Sequence, residues 1–126
     1  MLALSDDEIL DFVAAGSMRA FAVLCVRKLP WLALCAANAH GDRARALDGA
    51  ARVMIKVWEN APLWPPRSGR LDRRLLDLLE AGPGGGGQKA DAIDDEDIAA
   101  LIRQVVGDCA SRPQKRAGWL DRLFGG

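Results

Sequence analysis

Apolar side chains recur at intervals of three and four residues along most of the chain, and no window alternates strictly between apolar and polar positions. The first spacing is typical of amphipathic α-helices, whereas strict alternation would indicate β-strands. Four helical patterns precede residue 81, and another begins near Asp94. The pattern therefore predicts an all-α protein, with a small bundle of about four helices and an additional amphipathic helix after it.

Local signals predict where several of these helices begin and end. Ser5 and Glu8 have the spacing of a capping box, in which each side chain bonds the backbone N–H of the other residue. Gly16 is a natural end for this first helix, and Ser17 can cap the second. The predicted apolar side of the first helix consists of Ile9, Leu10, Phe12 and Val13.

The next three helices are predicted from the same spacing. The second contains Pro30, which should bend it, because proline removes a backbone hydrogen bond inside a helix. The third begins near Arg43 and leads into a loop that contains Trp64 and the pair Pro65–Pro66. The fourth covers about residues 70–80 and should present its leucines to the core. Together these elements form the predicted bundle of residues 1–81.

The composition then changes sharply at the segment GPGGGGQ, residues 82–88. A segment so rich in glycine does not form regular structure readily, because ordering it has a large cost in conformational entropy. Residues 82–93 are therefore predicted to be a flexible linker. Residues 94–126 are predicted to form a C-terminal amphipathic helix and tail. The apolar stripe of that helix contains Ile98, Leu101, Ile102, Val105 and Val106.

This stripe must be buried against the chain's own bundle or against a partner, because a lone helix of this length is marginal in water. A short flexible tether holds the helix at an effective concentration of millimolar order, which favours the bundle. Docked there, the helix could shield a binding face on the third or fourth helix. On this hypothesis residues 1–81 would fold alone and bind a partner more strongly than the full chain.

Charge and cysteine content add little specific chemistry. The 17 basic and 17 acidic residues balance, so the chain as a whole has no field that attracts nucleic acid or an anionic membrane. Cys25, Cys35 and Cys109 show no metal-ligand spacing, and the first two are too far apart along one helix for a disulfide. They are interpreted as buried thiols of a cytoplasmic protein.

No segment predicts secretion or membrane insertion. The opening residues MLALSDDEIL lack the basic region and long apolar core of a signal peptide. The apolar run from Phe21 to Ala39 is interrupted by polar residues and Pro30, and is interpreted as too short and too polar to span a bilayer. The predicted location is therefore the cytoplasm.

The sequence offers no recognisable catalytic constellation. His40, the only histidine, lies at a predicted helix end and has no second ligand or carboxylate at useful spacing. The glycine run lacks the Lys-Ser/Thr of a phosphate loop and a preceding strand. We therefore expect no enzyme activity, no cofactor, no metal and no small-molecule substrate.

The third helix carries an unusual outward stripe that mixes both charges with one apolar residue. Two interpretations stay open: a surface shaped for a partner protein, or a solvated face with a single exposed isoleucine, which is common in proteins. The residues of this predicted partner face are Asp48, Arg52, Ile55, Lys56 and Glu59.

Three stretches carry a resemblance to a known family: SDDEILDFVAAGSMRAFAVL, a Leu-Pro in the second helix, and GDRARALDGAARVMIKVWENAPLW. They resemble region 2 of bacterial sigma factors of the extracytoplasmic-function group. In that family the third helix binds the clamp helices of RNA polymerase through an Asp and, three and four residues later, a Gln and a Glu. Here Asp48 matches the Asp, whereas Ala51 and Arg52 replace the other two.

The resemblance also implies a nucleic-acid surface, since the family melts and reads the −10 element with residues after the third helix. The fourth helix has Leu71, Arg74 and Leu76 at the family's aromatic positions. In place of the family's second DNA-binding domain the sequence has the glycine segment and one amphipathic helix. The candidate residues for contact with bases and phosphates are Trp64, Arg67, Arg70, Arg73 and Arg74.

These observations lead to three functional hypotheses. The first is a sigma-like transcription regulator that contacts RNA polymerase, or a regulatory protein that binds sigma factors, through the third helix. The second is a minimal sigma-type factor that binds promoter DNA together with the polymerase. The third is a helical adaptor unrelated to transcription, because a fold does not determine a function.

Overall fold

The computed structural model describes residues 4–40, 42–64, 71–79 and 93–115, and these residues are mainly helical. The prediction of an all-α fold is confirmed for them. The elements are α1 (Asp6–Ala14), α2 (Met18–His40), α3 (Arg43–Asn60), a 3₁₀ turn (Ala61–Leu63), α4 (Leu71–Leu79) and α5 (Asp95–Ala110).

The predicted capping box of α1 is confirmed. The Glu8 backbone N–H donates to Ser5 Oγ at 3.2 Å, and the Ser5 N–H donates to Glu8 Oε1 at 3.3 Å. Gly16 follows the helix with φ of 95°, a conformation that suits glycine and ends α1. Ser17 Oγ then accepts the Ala20 N–H at 3.1 Å, which starts α2.

The second helix is the centre of the bundle, since it packs against α1, α3, α4 and α5. It continues through Pro30 as one helix of 23 residues. Phe21 is completely buried, and its ring centre lies 5.4 Å from that of Trp58 on α3 at a tilted angle of 54°. Tilted aromatic pairs of this kind add to the stability that burial alone provides.

The length and composition of α2 correct one expectation. Residues Met18–Ala39 form a helix that is long and apolar enough to cross a membrane by those two criteria. The sequence-based judgement that this run is too short and too polar is therefore wrong. Half of the stretch is buried in the bundle, as is usual for the central helix of a globular protein.

The fifth helix belongs to the same hydrophobic core as the other four. Its buried side chains Leu101, Val105 and Cys109 join one continuous core cluster, and the helix packs against α2 and α3. Ion pairs at both of its ends, Asp97 with Arg43 and Arg112 with Glu59, show that α5 runs parallel to α3. The bundle of the described residues therefore has five helices rather than four.

The division of the chain into residues 1–81, 82–93 and 94–126 stays a prediction, because the glycine segment lies outside the described residues. The docking of the stripe of α5 on the chain's own bundle is visible directly. Leu101 and Val105 are buried, and Ile98 and Ile102 are half-buried against the core.

Two other expectations about burial need correction. Phe12 is 47% exposed, because its position on α1 points away from the direction shared by Ile9 and Val13. All three cysteines are free thiols, but only Cys25 and Cys109 are buried, whereas Cys35 is half-buried.

Candidate protein-binding surface on the third helix

Three charged residues of the predicted partner face, Asp48, Arg52 and Lys56, are exposed on α3. Their spacing of four residues places them on successive turns of one side of the helix. Ile55 lies on the same side but is half-buried and packs against the core, so it is not a stray exposed isoleucine. The outward surface of α3 is thus mainly charged, with an apolar residue beneath it.

Two grooves flank this row of charges. The groove between α3 and α4 measures about 350 Å³ and the groove between α3 and α5 about 290 Å³. Asp48 lines both of them. The α3–α4 groove is lined by Arg45, Asp48, Gly49, Arg52, Val53, Lys56, Leu78 and Leu79. The α3–α5 groove is lined by Ala44, Leu47, Asp48, Ala51, Asp97, Ala100, Leu101 and Gln104.

Among the described residues that line the α3–α4 groove, the one carboxylate belongs to Asp48 and is paired within its own helix. Arg52 Nε lies 3.1 Å from Asp48 Oδ2, and both side chains are largely exposed. Helical pairs of this kind contribute only about 0.3–0.5 kcal/mol to stability. The main effect of the Asp48–Arg52 pair is electrostatic. Because Arg52 neutralises the charge of Asp48, the cations Arg45 and Lys56 determine the net charge of the groove.

The opposite end of the predicted face is engaged by residues 111–115, which we call the C-terminal strap. Arg112 Nη1 lies 3.8 Å from Glu59 Oε2, and the Lys115 backbone N–H donates to the Glu59 carbonyl at 2.7 Å. Glu59 therefore takes part in a contact within the chain, which the sequence pattern did not reveal.

The strap also closes the end of the bundle. The Trp58 Nε1–H donates to the Arg112 carbonyl at 2.8 Å. The Gln114 side-chain amide donates to the carbonyls of Val13 at 2.6 Å and Trp58 at 3.2 Å. These bonds link the ends of α1, α3 and α5. No periodic signal in the sequence could have identified them, because each joins residues more than fifty positions apart.

The position of α5 corrects the self-shielding hypothesis. The helix lies beside the row of charges and forms one wall of the α3–α5 groove, but Asp48, Arg52 and Lys56 stay exposed. Docking of α5 on the bundle therefore does not cover the predicted partner face.

The predicted nucleic-acid surface is only partly described. Arg67 and Arg70 lie outside the described residues, and Arg73 is exposed. Trp64 is half-buried against the core, and the Arg74 guanidinium lies 5.0 Å from the centre of its ring. One face of Trp64 is thus occupied by a cation–π contact, and its role in binding bases stays a prediction.

Other chemistry is sparse in the part of the chain that the structure describes. Within it, no group of three or more His, Cys, Asp or Glu side chains could hold a metal ion. His40 ends α2, and its side chain lies outside the described residues. Comparison of the chain with protein-family models, curated proteins and solved structures finds no match. The resemblance to sigma region 2 therefore rests on the sequence motifs alone.

Proposed function

We propose that this chain is a non-catalytic, sigma-like transcription regulator that acts by binding another protein through α3. The observation that supports the proposal best is the row formed by Asp48, Arg52 and Lys56, which is exposed between two grooves. An exposed charged row beside two grooves that each contain some aliphatic surface resembles a protein-binding site, in which polar contacts surround an apolar centre.

The proposed partner is RNA polymerase or a regulatory protein that binds sigma factors, as the resemblance implies. The contact would differ from that of the family, because Arg52 stands where the family has a Glu and holds Asp48 at 3.1 Å. A reversed charge in an interface can cost several kcal/mol against the original partner surface. The proposed regulator would therefore bind RNA polymerase in a modified way or prefer the other partner.

A pull-down from the native cytoplasm tests this proposal. The full chain is immobilised in parallel with the charge-reversal variant Arg52→Glu/Lys56→Glu and with Arg103→Glu, an exposed control on α5. We expect the wild type and the control to recover polymerase subunits or a transcription regulator. The double variant should recover at least tenfold less of the same protein.

Two outcomes would contradict the proposal. Recovery of neither polymerase nor any transcription regulator would exclude it. A stable partner with no role in transcription, lost from the double variant, would favour a helical adaptor instead. Binding of promoter DNA receives less support, because Trp64 is half-buried and partly covered by Arg74.

A further inference from the structure

The α3–α4 groove combines an apolar floor with a basic rim. Val53 is buried on the α3 side, and Leu78 and Leu79 at the end of α4 complete the apolar lining. Gly49 lies beside Leu79, and a Cβ atom at this position would lie 3.4 Å from Leu79 Cδ1, an ordinary van der Waals contact. The floor is therefore formed where the end of α4 lies against the middle of α3.

The rim of the groove carries three cations on one helix. The side chains of Arg45 and Arg52 are 79% and 74% exposed, and Lys56 is exposed as well. Arg45 lies 3.9 Å from Asp42, a long and exposed pair that leaves the guanidinium accessible. Asp48, the only acidic one among the described residues of the lining, is paired with Arg52. The positive charge is therefore local, in a chain that is neutral overall.

The spacing of the cations defines the length of a matching ligand. Arg45 and Lys56 are eleven residues apart, which corresponds to about 16 Å at 1.5 Å per residue. A helical segment of about three turns has this length, and its own side chains repeat at the same three- and four-residue intervals. Recognition of an amphipathic helix by an apolar groove is a common mode of peptide binding.

We propose that the α3–α4 groove binds an acidic amphipathic helix of a partner protein. Apolar side chains of that helix pack against Val53, Leu78 and Leu79, while its carboxylates pair with Arg45 and Lys56 and share Arg52 with Asp48. This inference rests on the proposed function, because it specifies the chemistry of the partner that α3 would bind.

The apolar floor favours a protein partner over a nucleic acid. Contacts with phosphates need charge and hydrogen-bond donors but no apolar surface, and single-stranded bases stack on aromatic faces. The described residues that line the groove include three aliphatic side chains and no aromatic one. Charge complementarity and burial of aliphatic surface thus point to the same occupant.

Three synthetic helical peptides of about three turns test the proposal with the full chain. All three carry leucines at the same positions, and the flanking positions hold only glutamate, only glutamine or only lysine. Fluorescence anisotropy of labelled peptides measures Kd at several salt concentrations. We expect the glutamate peptide to bind at least tenfold more tightly than the glutamine peptide, with an affinity that falls as salt rises. The lysine peptide should bind most weakly.

Matched variants locate the binding. Arg52→Glu/Lys56→Glu should reverse the order of peptide affinities, so that the lysine peptide binds best. The single change Lys56→Glu should reduce the preference for the glutamate peptide without reversing it. Arg19→Glu/Arg103→Glu, with the same charge change at exposed positions outside the groove, should keep the wild-type order. Circular dichroism confirms that each variant is folded.

The inference would be overturned if no peptide binds, or if the glutamate and lysine peptides bind equally. It would also be overturned if the preference for glutamate survives the double charge reversal. Finally, it would fail if a single-stranded oligonucleotide binds more tightly than the glutamate peptide and Arg52→Glu/Lys56→Glu abolishes that binding. Failure of the pull-down with retained binding of the glutamate peptide would reject only the assignment to transcription. Recovery of a transcription protein without peptide preference would reject only the groove chemistry.

Discussion

At the residue scale, Gln114 has an unusual concentration of contacts for a side chain in a loop. Its amide donates to the carbonyls of Val13 and Trp58, which belong to the ends of α1 and α3. The Val13 carbonyl also accepts the Gly16 N–H at 2.9 Å, whereas the residue four positions after Trp58 is Pro62, which has no N–H to donate to the Trp58 carbonyl. One glutamine thus adds a side-chain link between the ends of two helices that also pack in the same core.

Replacement of this residue should therefore affect the whole bundle. We expect Gln114→Ala to lower the free energy of unfolding by about 1–2 kcal/mol, because two hydrogen bonds to carbonyls are lost. Urea denaturation followed by Trp fluorescence measures the change. Gln104→Ala, at an exposed position of α5, is the matched control and should alter stability little. Equal effects of the two substitutions would contradict this role of the strap.

Lys28 links three helices through two carboxylates. Its Nζ lies 2.6 Å from Asp6 Oδ2 of α1 and 2.6 Å from Asp72 Oδ1 of α4. Burial acts to raise the pKa of Asp6, but the hydrogen bonds and charges of Lys28 and Arg27 outweigh it and hold that pKa below its ordinary value. Burial likewise acts to lower the pKa of Lys28, and its two carboxylate partners raise it above the ordinary value instead.

The network should appear in the pH dependence of stability. A pKa of Asp6 that is lower in the folded than in the unfolded state contributes stability above about pH 4, which is lost as pH falls through the folded pKa. We expect Asp6→Asn to lower stability by roughly 1 kcal/mol at pH 7, as for partly exposed ion pairs, and to flatten the loss below pH 4. Urea unfolding from pH 2 to 8 measures both effects.

Asp7→Asn provides the control for this measurement, since Asp7 lies in the same first turn and shares any interaction with the helix dipole. Its acid-induced loss of stability should resemble that of the wild type. An identical pH profile for Asp6→Asn and the wild type would show that the network contributes nothing.

At the element scale, the individual helices could be predicted from the sequence, whereas the contacts between helices could not. The capping box of Ser5 and the apolar spacing depend on neighbours within four positions, so local rules were sufficient for them. The contacts of Trp58 with Arg112 and of Lys28 with Asp72 join distant positions. They depend on the packing of whole helices, for which the sequence contains no local signal.

The same distinction applies to the candidate site. Helical spacing correctly placed Asp48, Arg52 and Lys56 on one exposed side of α3. It did not predict the groove beside them, because the floor is supplied by Leu78 and Leu79 of another helix. It also treated Glu59 as part of the free face, although the strap binds its backbone carbonyl.

The contribution of α5 can be measured by truncating its side chains. Leu101 is 6% exposed in the core, so Leu101→Ala should lower the free energy of unfolding by about 2–3 kcal/mol. Ile102→Ala removes a half-buried side chain of similar size and should cost less than half as much. Chemical denaturation of both variants gives the comparison. Equal, small effects would mean that α5 is held only loosely on the bundle.

Removal of the whole segment tests the relation between α5 and the other helices. The sequence alone suggested that residues 1–81 fold independently and bind a partner more strongly. The core contacts of Leu101, Val105 and Cys109 change that expectation. We now expect residues 1–81 to have lower helicity, a lower Tm and no gain in partner affinity. A cooperative unfolding transition at the wild-type Tm would contradict this and restore the earlier hypothesis.

At the scale of the whole molecule, the reactivity of the three cysteine thiols measures how often the core opens to solvent. Burial, with a smaller contribution from Cys109, raises the pKa of Cys25, and burial raises the pKa of Cys109 to about 11. Cys35 is half-buried, and its pKa is raised by burial and by the nearby charge of Asp72. All three should therefore react slowly near neutral pH, since the thiolate is the reactive form.

Ellman's reagent at pH 8 separates the three sites. We expect slow labelling of Cys35 in the native protein, whereas Cys25 and Cys109 should react only when denaturant opens the bundle. Cys35→Ser should remove the native reaction, and Cys109→Ser should leave it unchanged. Rapid native labelling of Cys25 or Cys109 would mean that α2 and α5 separate frequently.

The late position of α5 in the chain has a consequence for synthesis on the ribosome. The surface of α2 and α3 that packs against α5 leaves the ribosome before α5 has been synthesised. Leu101 of α5 follows Leu79, the end of α4, by more than twenty residues. At roughly 5–20 residues per second, the ribosome needs about one to four seconds to reach Leu101. During that interval the nascent chain exposes apolar surface to chaperones and to other nascent chains, and a pause in translation over the glycine codons would prolong this exposure.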